Sequence, residues 1–309
     1  MKVFIGIDGG GTKTAYIVGN DKNEILFQTE GKGSSYRESS INEVLENIRK
    51  TVDFCLKECQ IEPKDCLGMV IGLPCYGESE KEDNEIDRKM KLIFNDIKYR
   101  VVNDVEVGWA GSLNLSDGVN IVAGTGSIAF GRNSDKKTAR SGGWSTFFSD
   151  EGSCYWLGRR TMEYFGKEAD GRLTKGPLYD VIMNHFNIKN EFEFIDIAEN
   201  EIIPYRDKVA EVQKLLFESA KKGDKNAISL YDEASYELYL IIKGVVKQLK
   251  LKGKKFNWSY SGGLFYAKEF VLPKLEQKVS KLGGKLVEPA TTPVMGAFLL
   301  AKEEFYEMD

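Results

Sequence analysis

Hydrophobic positions along the first third of the chain change repeatedly between strand-like runs and helical spacing. Apolar runs bounded by turn residues predict strands, and apolar residues three and four apart predict helices. The first three elements are predicted hairpin strands over residues 3–7, 15–18 and 24–30. A helix over 41–61, a strand over 67–73 and a helix that ends near 96 follow, and then a strand over 99–102 and a helix over 105–112. The charged cluster over 78–85 is expected to be a solvated loop.

The same design begins again at residue 119. Strands over 119–123 and 128–132 flank a turn of glycines and hydroxyl residues, as the first two strands do. This repetition predicts an internal duplication with a boundary near 112–118. Further helices and strands are expected over 154–165, 209–222, 226–250, 256–260, 286–287 and 294–305.

Composition narrows the class of protein. A chain of 309 residues with 42% hydrophobic and 29% charged residues is typical of a two-domain globular protein, and a net charge of −4 argues against a nucleic-acid partner. The chain enters a strand at once and has no apolar run of membrane-spanning length, so we expect a cytoplasmic protein with no membrane partner. The single histidine, His185, lies in a helix-like stretch, so a general base is expected to be a carboxylate.

The first strand runs into three glycines between Asp8 and Thr12. Bare backbone N–H groups at Gly10 and Gly11, with the Thr12 hydroxyl and the Lys13 charge, are suited to a phosphate. Asp8, at the strand end, is placed to hold the water shell of a Mg2+ ion. The alternative is a tight hairpin that uses glycine only for its backbone conformation.

The second turn, Gly124-Thr125-Gly126, repeats this chemistry, and two such turns would clasp a triphosphate. Asp104 follows the strand over 99–102. It is either an N-cap or a carboxylate that faces the same ligand crevice as Asp8, because ligands bind at the carboxyl ends of strands in open α/β sheets. The residues alone leave both alternatives open.

The segment over 141–152 combines glycines, Trp144 and the acids Asp150 and Glu151. Carboxylates accept hydroxyl hydrogen bonds and aromatic rings cover sugar faces, so this segment is a candidate carbohydrate site. The alternative is that Ser149 and Asp150 cap the helix that begins at Cys154.

The segments DGGGTKT, ND, AGTGS, GGW with DEGS, SGGLF and PVMGA resemble, in the same order, the N-acetylglucosamine kinase branch of the BadF-type ATPases. The resemblance implies an α/β fold of two ribonuclease H-like domains, the actin-like ATPase fold, with ATP and a sugar in an interdomain cleft. It places the N-terminal domain at 1–115, the C-terminal domain with a helical insertion at 116–292, and a helix that packs back toward the N-terminal domain at 293–309.

The resemblance also implies residue roles. Thr12 and Thr125 match phosphate contacts, Asp8 the acid near Mg2+ and Asp104 the catalytic base. The cofactor-binding set is Gly10, Gly11, Thr12, Lys13, Gly124, Thr125, Gly126, Val209, Gly262, Gly263 and Tyr266. The sugar-binding set is Ser35, Asp104, Gly143, Trp144, Ser145 and Asp150.

The implied activity is transfer of the γ-phosphoryl group of ATP to the 6-hydroxyl of N-acetylglucosamine or a related sugar, with Mg2+ as cofactor and a homodimer by analogy. Ser35 stands where these kinases usually offer an asparagine, which leaves more room for the sugar. Glucosamine, N-acetylmuramate and hexoses are therefore alternative acceptors. An ATPase that activates a partner enzyme and a sugar sensor without turnover are alternatives from other classes.

Overall fold

The computed structural model describes residues 2–306, which fall into two units. Met1–Asp117 and Glu288–Asp309 form the first unit, and Gly118–Val287 forms the second. The end of the predicted C-terminal segment, residues 307–309, lies outside the described residues. Over residues 2–306 no helix is both long enough and apolar enough to cross a bilayer.

A five-stranded mixed sheet forms the centre of the first unit. Its strands are β1 (Val3–Gly9), β2 (Lys13–Asn20), β3 (Ile25–Lys32), β4 (Cys66–Leu73) and β5 (Tyr99–Asn103), in the spatial order β3-β2-β1-β4-β5. The first three strands are an antiparallel meander, whereas β4 and β5 run parallel to β1. Since β1 and β4 are covered on both faces, their apolar runs are nearly continuous.

Three helices of the first unit are α1 (Ile41–Glu58), α2 (Glu80–Ile93) and α3 (Asp104–Leu113). The Ser40 hydroxyl accepts the Glu43 N–H at the start of α1, as the capping pattern predicts. The expected solvated loop over 78–85 is wrong, because Ser79 caps α2 and the cluster forms its first turns. Acidic side chains there are favourable at the positive end of the helix dipole.

The second unit repeats the first sheet. Strands β6 (Gly118–Ala123), β7 (Ser127–Arg132), β8 (Thr138–Gly142), β9 (Phe256–Ser261) and β10 (Gly284–Leu286) have the order β10-β9-β6-β7-β8. The meander β6-β7-β8 is antiparallel, and β9 and β10 run parallel to β6. This identical connectivity confirms the predicted duplication.

Helices surround the second sheet. They are α4 (Cys154–Ala169), α5 (Pro177–His185), α6 (Glu193–Ile197), α7 (Arg206–Glu211), α8 (Gln213–Lys221), α9 (Lys225–Gln248) and α10 (Lys268–Ser280), with a π-helical turn at Ala198–Ile202. The predicted single helix over 209–222 is two helices joined at Val212. One large apolar core joins these helices to β6 and β9.

The last helix, α11 (Pro293–Phe305), belongs to the first unit and packs on α3 and β1. A Cβ atom on Gly296 would lie 2.2 Å from the Val107 carbonyl oxygen of α3. Glycine is therefore required for the close approach of the two helices. This packing fixes α3, whose first residue is Asp104.

Candidate active site

The turn between β1 and β2 uses its glycines for close approach. None of Gly9, Gly10 and Gly11 has a left-handed φ, so the alternative of a turn that only needs unusual backbone angles is wrong. A Cβ on Gly9 would lie 2.1 Å from the Ser34 hydroxyl, whereas a Cβ on Gly11 would meet nothing within 4 Å. The hairpin is therefore tightly supported behind Gly9 and open at Gly11, as an anion cradle requires.

Some polar groups of this turn are used in hydrogen bonds within the protein, and others are accessible to a ligand. The Gly10 N–H donates to the Lys13 carbonyl at 2.9 Å, and the buried Thr14 hydroxyl donates to the Lys32 carbonyl at 2.7 Å. Thr14 is thus structural. Thr12 is exposed beside the open glycine, while Lys13 forms an ion pair with Glu30 of β3.

Ser35 lies in the loop that follows β3. Its neighbour Ser34 is buried, and the Ser34 N–H donates to the Gly10 carbonyl at 2.9 Å. That bond holds the loop against the first glycine turn. Ser35 itself is half-buried, next to the turn, as its predicted role in acceptor binding requires.

Asp8 and Asp104 lie at the same edge of the first sheet. Asp8 is the second-to-last residue of β1, Asp104 directly follows β5, and β4 lies between these two parallel strands. Burial and, secondly, the charge of Asp104 raise the pKa of Asp8 from its ordinary 3.8 to about 7. The two carboxylates therefore share one electrostatic environment, in which proton uptake or a cation is favoured.

The N-cap alternative for Asp104 is wrong. The Asn103 side chain caps α3 by accepting the Val105 N–H at 3.2 Å, and its amide donates to the Tyr76 carbonyl at 2.7 Å. Asp104 is the first residue inside the helix and is half-buried.

A Mg2+ ion fits the chemistry of this edge. Mg2+ prefers oxygen ligands, keeps several waters and is usually held through one or two carboxylates plus substrate phosphates. Asp8, whose ionised form is disfavoured by burial and by the charge of Asp104, is a carboxylate that a divalent cation would stabilise. Among residues 2–306 no three acidic, histidine or cysteine side chains form a cluster that could hold a metal without other ligands.

The turn between β6 and β7 is clamped by the start of α4. The Cys154 N–H donates to the Gly124 carbonyl at 2.8 Å, and the Tyr155 N–H to the Thr125 carbonyl at 3.3 Å. In a planar trans peptide the N–H points opposite to the C=O of the same unit. The N–H groups of Thr125 and Gly126 therefore point away from α4 and form a pair of donors suited to a phosphate.

Asp150 stabilises this turn from the side. It is buried, has a left-handed φ of 60°, and accepts the Ser127 N–H at 3.2 Å. Its other oxygen accepts from the Arg206 guanidinium at 2.8 Å. The capping alternative for Ser149 and Asp150 is wrong, because Ser153 caps α4 by accepting the Trp156 N–H at 3.1 Å.

A cavity of about 470 Å3 lies beside this turn within the second unit. Of the predicted cofactor-binding residues, Gly263 and Tyr266 line it, together with Gly124 and Thr125 of the turn. Tyr266 is 88% exposed, so its ring can cover an adenine base. The helices α7 and α8 supply the opposite wall through Asp207, Ala210, Glu211, Gln213, Lys214 and Phe217.

Two residues of the predicted cofactor-binding set do not line this cavity. Val209 is only 2% exposed and its carbonyl packs against Gly158 of α4, whereas its neighbour Ala210 lines the cavity. Gly262 has a left-handed φ of 105°, and a Cβ there would lie 2.4 Å from the Ala123 carbonyl oxygen. Gly262 therefore shapes the turn that presents Gly263.

The predicted sugar loop follows β8. Gly143 has a left-handed φ of 68°, and Trp144 is 78% exposed. The Ser145 carbonyl accepts the Ser149 N–H at 2.9 Å, which closes the loop on itself. An exposed indole on a closed loop is the arrangement expected of a side chain that stacks on a ligand.

Arg206 is the functional candidate that the sequence pattern missed. It lies 56 residues from Asp150 in the chain, at the first position of α7. No local motif marks it; only the fold brings its guanidinium to the second glycine turn.

Comparisons with known proteins agree with the fold. The N-acetyl-D-glucosamine kinase of Dictyostelium discoideum is 29% identical over 312 residues, covering 97% of this chain and 98% of that protein. The N-acetylmuramic acid/N-acetylglucosamine kinase of Clostridium acetobutylicum is 27% identical over 307 residues, covering 98% and 99%.

A solved structure from Chromobacterium violaceum, described as a candidate N-acetylglucosamine kinase, superposes with a TM-score of 0.76 at 21% identity, covering 97% of this chain and 99% of that one. This likeness supports the predicted fold of two ribonuclease H-like units. The model of the BadF/BadG/BcrA/BcrD ATPase family matches residues 5–301. The chain belongs to the BadF/BadG/BcrA/BcrD ATPase family.

Proposed function

We propose that the chain is an ATP-dependent amino-sugar kinase that uses Mg2+ and phosphorylates the 6-hydroxyl of N-acetylglucosamine or a related sugar. The names of the two relatives, aligned over nearly the whole chain, support this substrate class. The observation that carries the mechanism is the Asp8 and Asp104 pair at one end of the first sheet, where the charge of Asp104 acts on Asp8.

Asp104 acts as the general base. As the sugar O6 attacks the γ-phosphorus, the bond from that phosphorus to the β,γ-bridging oxygen breaks, ADP leaves, and the hydroxyl proton passes to the Asp104 carboxylate. Phosphoryl transfer depends on positioning and charge neutralisation more than on covalent help. Mg2+ would neutralise phosphate charge, and Asp8 would hold it through water.

The remaining residues bind and orient. Thr12 and the open peptide at Gly11 contact phosphate in the first unit, and Thr125 with the paired N–H groups does so in the second. Tyr266 and Gly263 hold the nucleoside. Trp144 and Ser145 contact the sugar.

A second acceptor, N-acetylmuramate, is favoured by the Clostridium acetobutylicum relative, whose name includes both sugars. Ser35 is a short side chain where a bulkier asparagine is usual in these kinases, so a C3 substituent has more room. A homodimer is part of the proposal by analogy alone, and a cytoplasmic location rests on the sequence pattern described above.

The test is a panel of N-acetylglucosamine, N-acetylmuramate, glucosamine and glucose, assayed for ADP release with Mg2+ and ATP. We expect one of the N-acetylated sugars to give the highest kcat/KM. Equal ATP hydrolysis with and without any sugar would overturn the proposal and favour the activator ATPase. Sugar binding without ADP release would favour the sensor.

A further inference from the structure

We propose that Arg206, positioned by Asp150, is a phosphate-binding cation of the nucleotide site in the second unit. This role is part of the proposed function, and it depends on that function only because ATP is taken as the ligand. Four observations place this guanidinium at the second glycine turn.

The first observation is direct contact between the ion pair and the turn. A Cβ built on Gly126 would lie 2.8 Å from one Asp150 carboxylate oxygen and 3.0 Å from the Arg206 guanidinium nitrogen. Gly126 has no left-handed φ, so conformation does not require glycine there. Its missing side chain is explained by the space that Asp150 and Arg206 occupy.

The second observation is that Asp150 is fixed in place at this contact. It has a left-handed φ of 60°, which aspartate adopts more readily than most non-glycine residues. Asp150 is 4% exposed, and its two oxygens are divided between the Ser127 N–H and Arg206. The Asp150 carboxylate therefore holds both the β6–β7 turn and the Arg206 guanidinium in place.

The third observation is that about half of the Arg206 side chain is exposed and can contact a ligand. The Arg206 side chain is 52% exposed, whereas the Asp150 side chain is 6% exposed. A guanidinium has five N–H donors in a planar fork, and one carboxylate oxygen leaves most of them for another acceptor. Arginine is suited to phosphate because its fork can donate two parallel hydrogen bonds.

The fourth observation is the location of Arg206 along α7. The same helix supplies Asp207, Ala210 and Glu211 to the nucleoside cavity, and the turn supplies Gly124 and Thr125 to that cavity. Arg206 therefore lies where the wall of the cavity meets the donors of the glycine turn. A nucleoside in the cavity would extend its phosphates toward this guanidinium.

The test measures ATP and adenosine binding by calorimetry on the full chain without sugar. Because Arg206 would contact phosphate and not the nucleoside, Arg206→Gln should weaken ATP binding at least about tenfold and leave adenosine binding within about twofold. Arg206→Lys keeps the charge and should recover part of the loss. Arg172→Gln, which removes an arginine paired with Asp170 in the same unit, should change neither affinity.

Asp150→Asn tests the positioning of Arg206 by Asp150. Because the assay contains no sugar, a predicted contact of Asp150 with sugar cannot affect the result. It should weaken ATP binding about threefold to tenfold by releasing Arg206. Retained adenosine binding shows that each variant is folded. Unchanged ATP affinity in Arg206→Gln, or equal losses for ATP and adenosine, would overturn the inference, whereas ATP binding without sugar phosphorylation would contradict only the proposed function.

Discussion

The two glycine hairpins share one connectivity and differ in the side chains around them. The β1–β2 turn follows an acid, Asp8, and shares its sheet edge with Asp104. The β6–β7 turn follows Ala123, is clamped by the start of α4 and lies beside Arg206. The fold thus contains two glycine hairpins of the same connectivity whose flanking charges differ. The first is suited to a cation and a proton, and the second to a nucleotide.

The strongest test of this difference is Asp104→Asn. We expect kcat to fall about a thousandfold, because the amide keeps the shape but cannot take the hydroxyl proton, while ATP affinity stays within about threefold. Initial rates of sugar-dependent ADP release and calorimetry with ATP measure the two quantities. Asp65→Asn, at an exposed acid of the same unit, should behave like the unchanged protein. Full turnover in Asp104→Asn would show that another group is the base.

The corresponding change in the second hairpin is Gly126→Ala. The added methyl would displace the Asp150 carboxylate, from which it would be only 2.8 Å away, and with it Arg206. We expect ATP affinity to fall about a hundredfold, roughly the loss of two charge-assisted contacts. ATP affinity equal to that of the unchanged protein would mean that this turn does not bind phosphate.

A matched pair of variants compares Gly11 and Gly124, the glycines of the two turns that have open space beside them. A Cβ on Gly11 would meet nothing within 4 Å, and a Cβ on Gly124 would meet only the Gly263 nitrogen at 3.9 Å. Since neither glycine has a left-handed φ, Gly11→Ala and Gly124→Ala should leave the melting temperature nearly unchanged. If phosphates approach both turns, each methyl should weaken ATP binding about tenfold. A loss at Gly124 alone would confine phosphate binding to the second unit.

The smallest expected effect concerns pH. The pKa of Asp8 is about 7 in the folded chain and near 3.8 when unfolded, so between these values the folded chain holds a proton that the unfolded chain releases. The contribution of Asp8 to the free energy of unfolding therefore decreases as pH rises from about 4 to 7.

Asp8→Asn should remove this decrease. Relative to the unchanged protein, the variant should gain about 1 kcal/mol or more at pH 8 and gain nothing at pH 4. Urea unfolding at both pH values in the presence of EDTA measures the difference. Parallel pH profiles for the two proteins would show that the Asp8 carboxyl has an ordinary pKa.

Many of the strands and turns of the two sheets could be predicted from the local pattern of apolar residues and glycines. Continuous apolar runs mark β1 and β4, and the glycine turns mark both hairpins. Strand β8 was missed because its sequence TARSG is only half-buried and carries no apolar alternation. The duplication itself could have found it, since β3 occupies the same place in the first sheet.

The site was less predictable where it depends on contacts between distant segments. The approach of Arg206 to Asp150 and the burial of Val209 against α4 follow from how α7 packs, which no spacing in the sequence encodes. Asp104 was ambiguous from sequence because the adjacent Asn103 and Asp104 are both good capping residues. Side-chain geometry, with Asn103 as the cap, separates them.

The account's central claim is that Asp104 accepts the proton of a sugar 6-hydroxyl as this hydroxyl takes the γ-phosphoryl group of ATP. Phosphorus and proton NMR of the product made from N-acetylglucosamine and ATP tests it most directly, with 6-deoxy-N-acetylglucosamine as the matched substrate. We predict a phosphate coupled to the two protons at C6, and no ADP release above background with the 6-deoxy sugar. ADP formed at the same rate with the 6-deoxy sugar, or phosphate attached elsewhere, would contradict the claim.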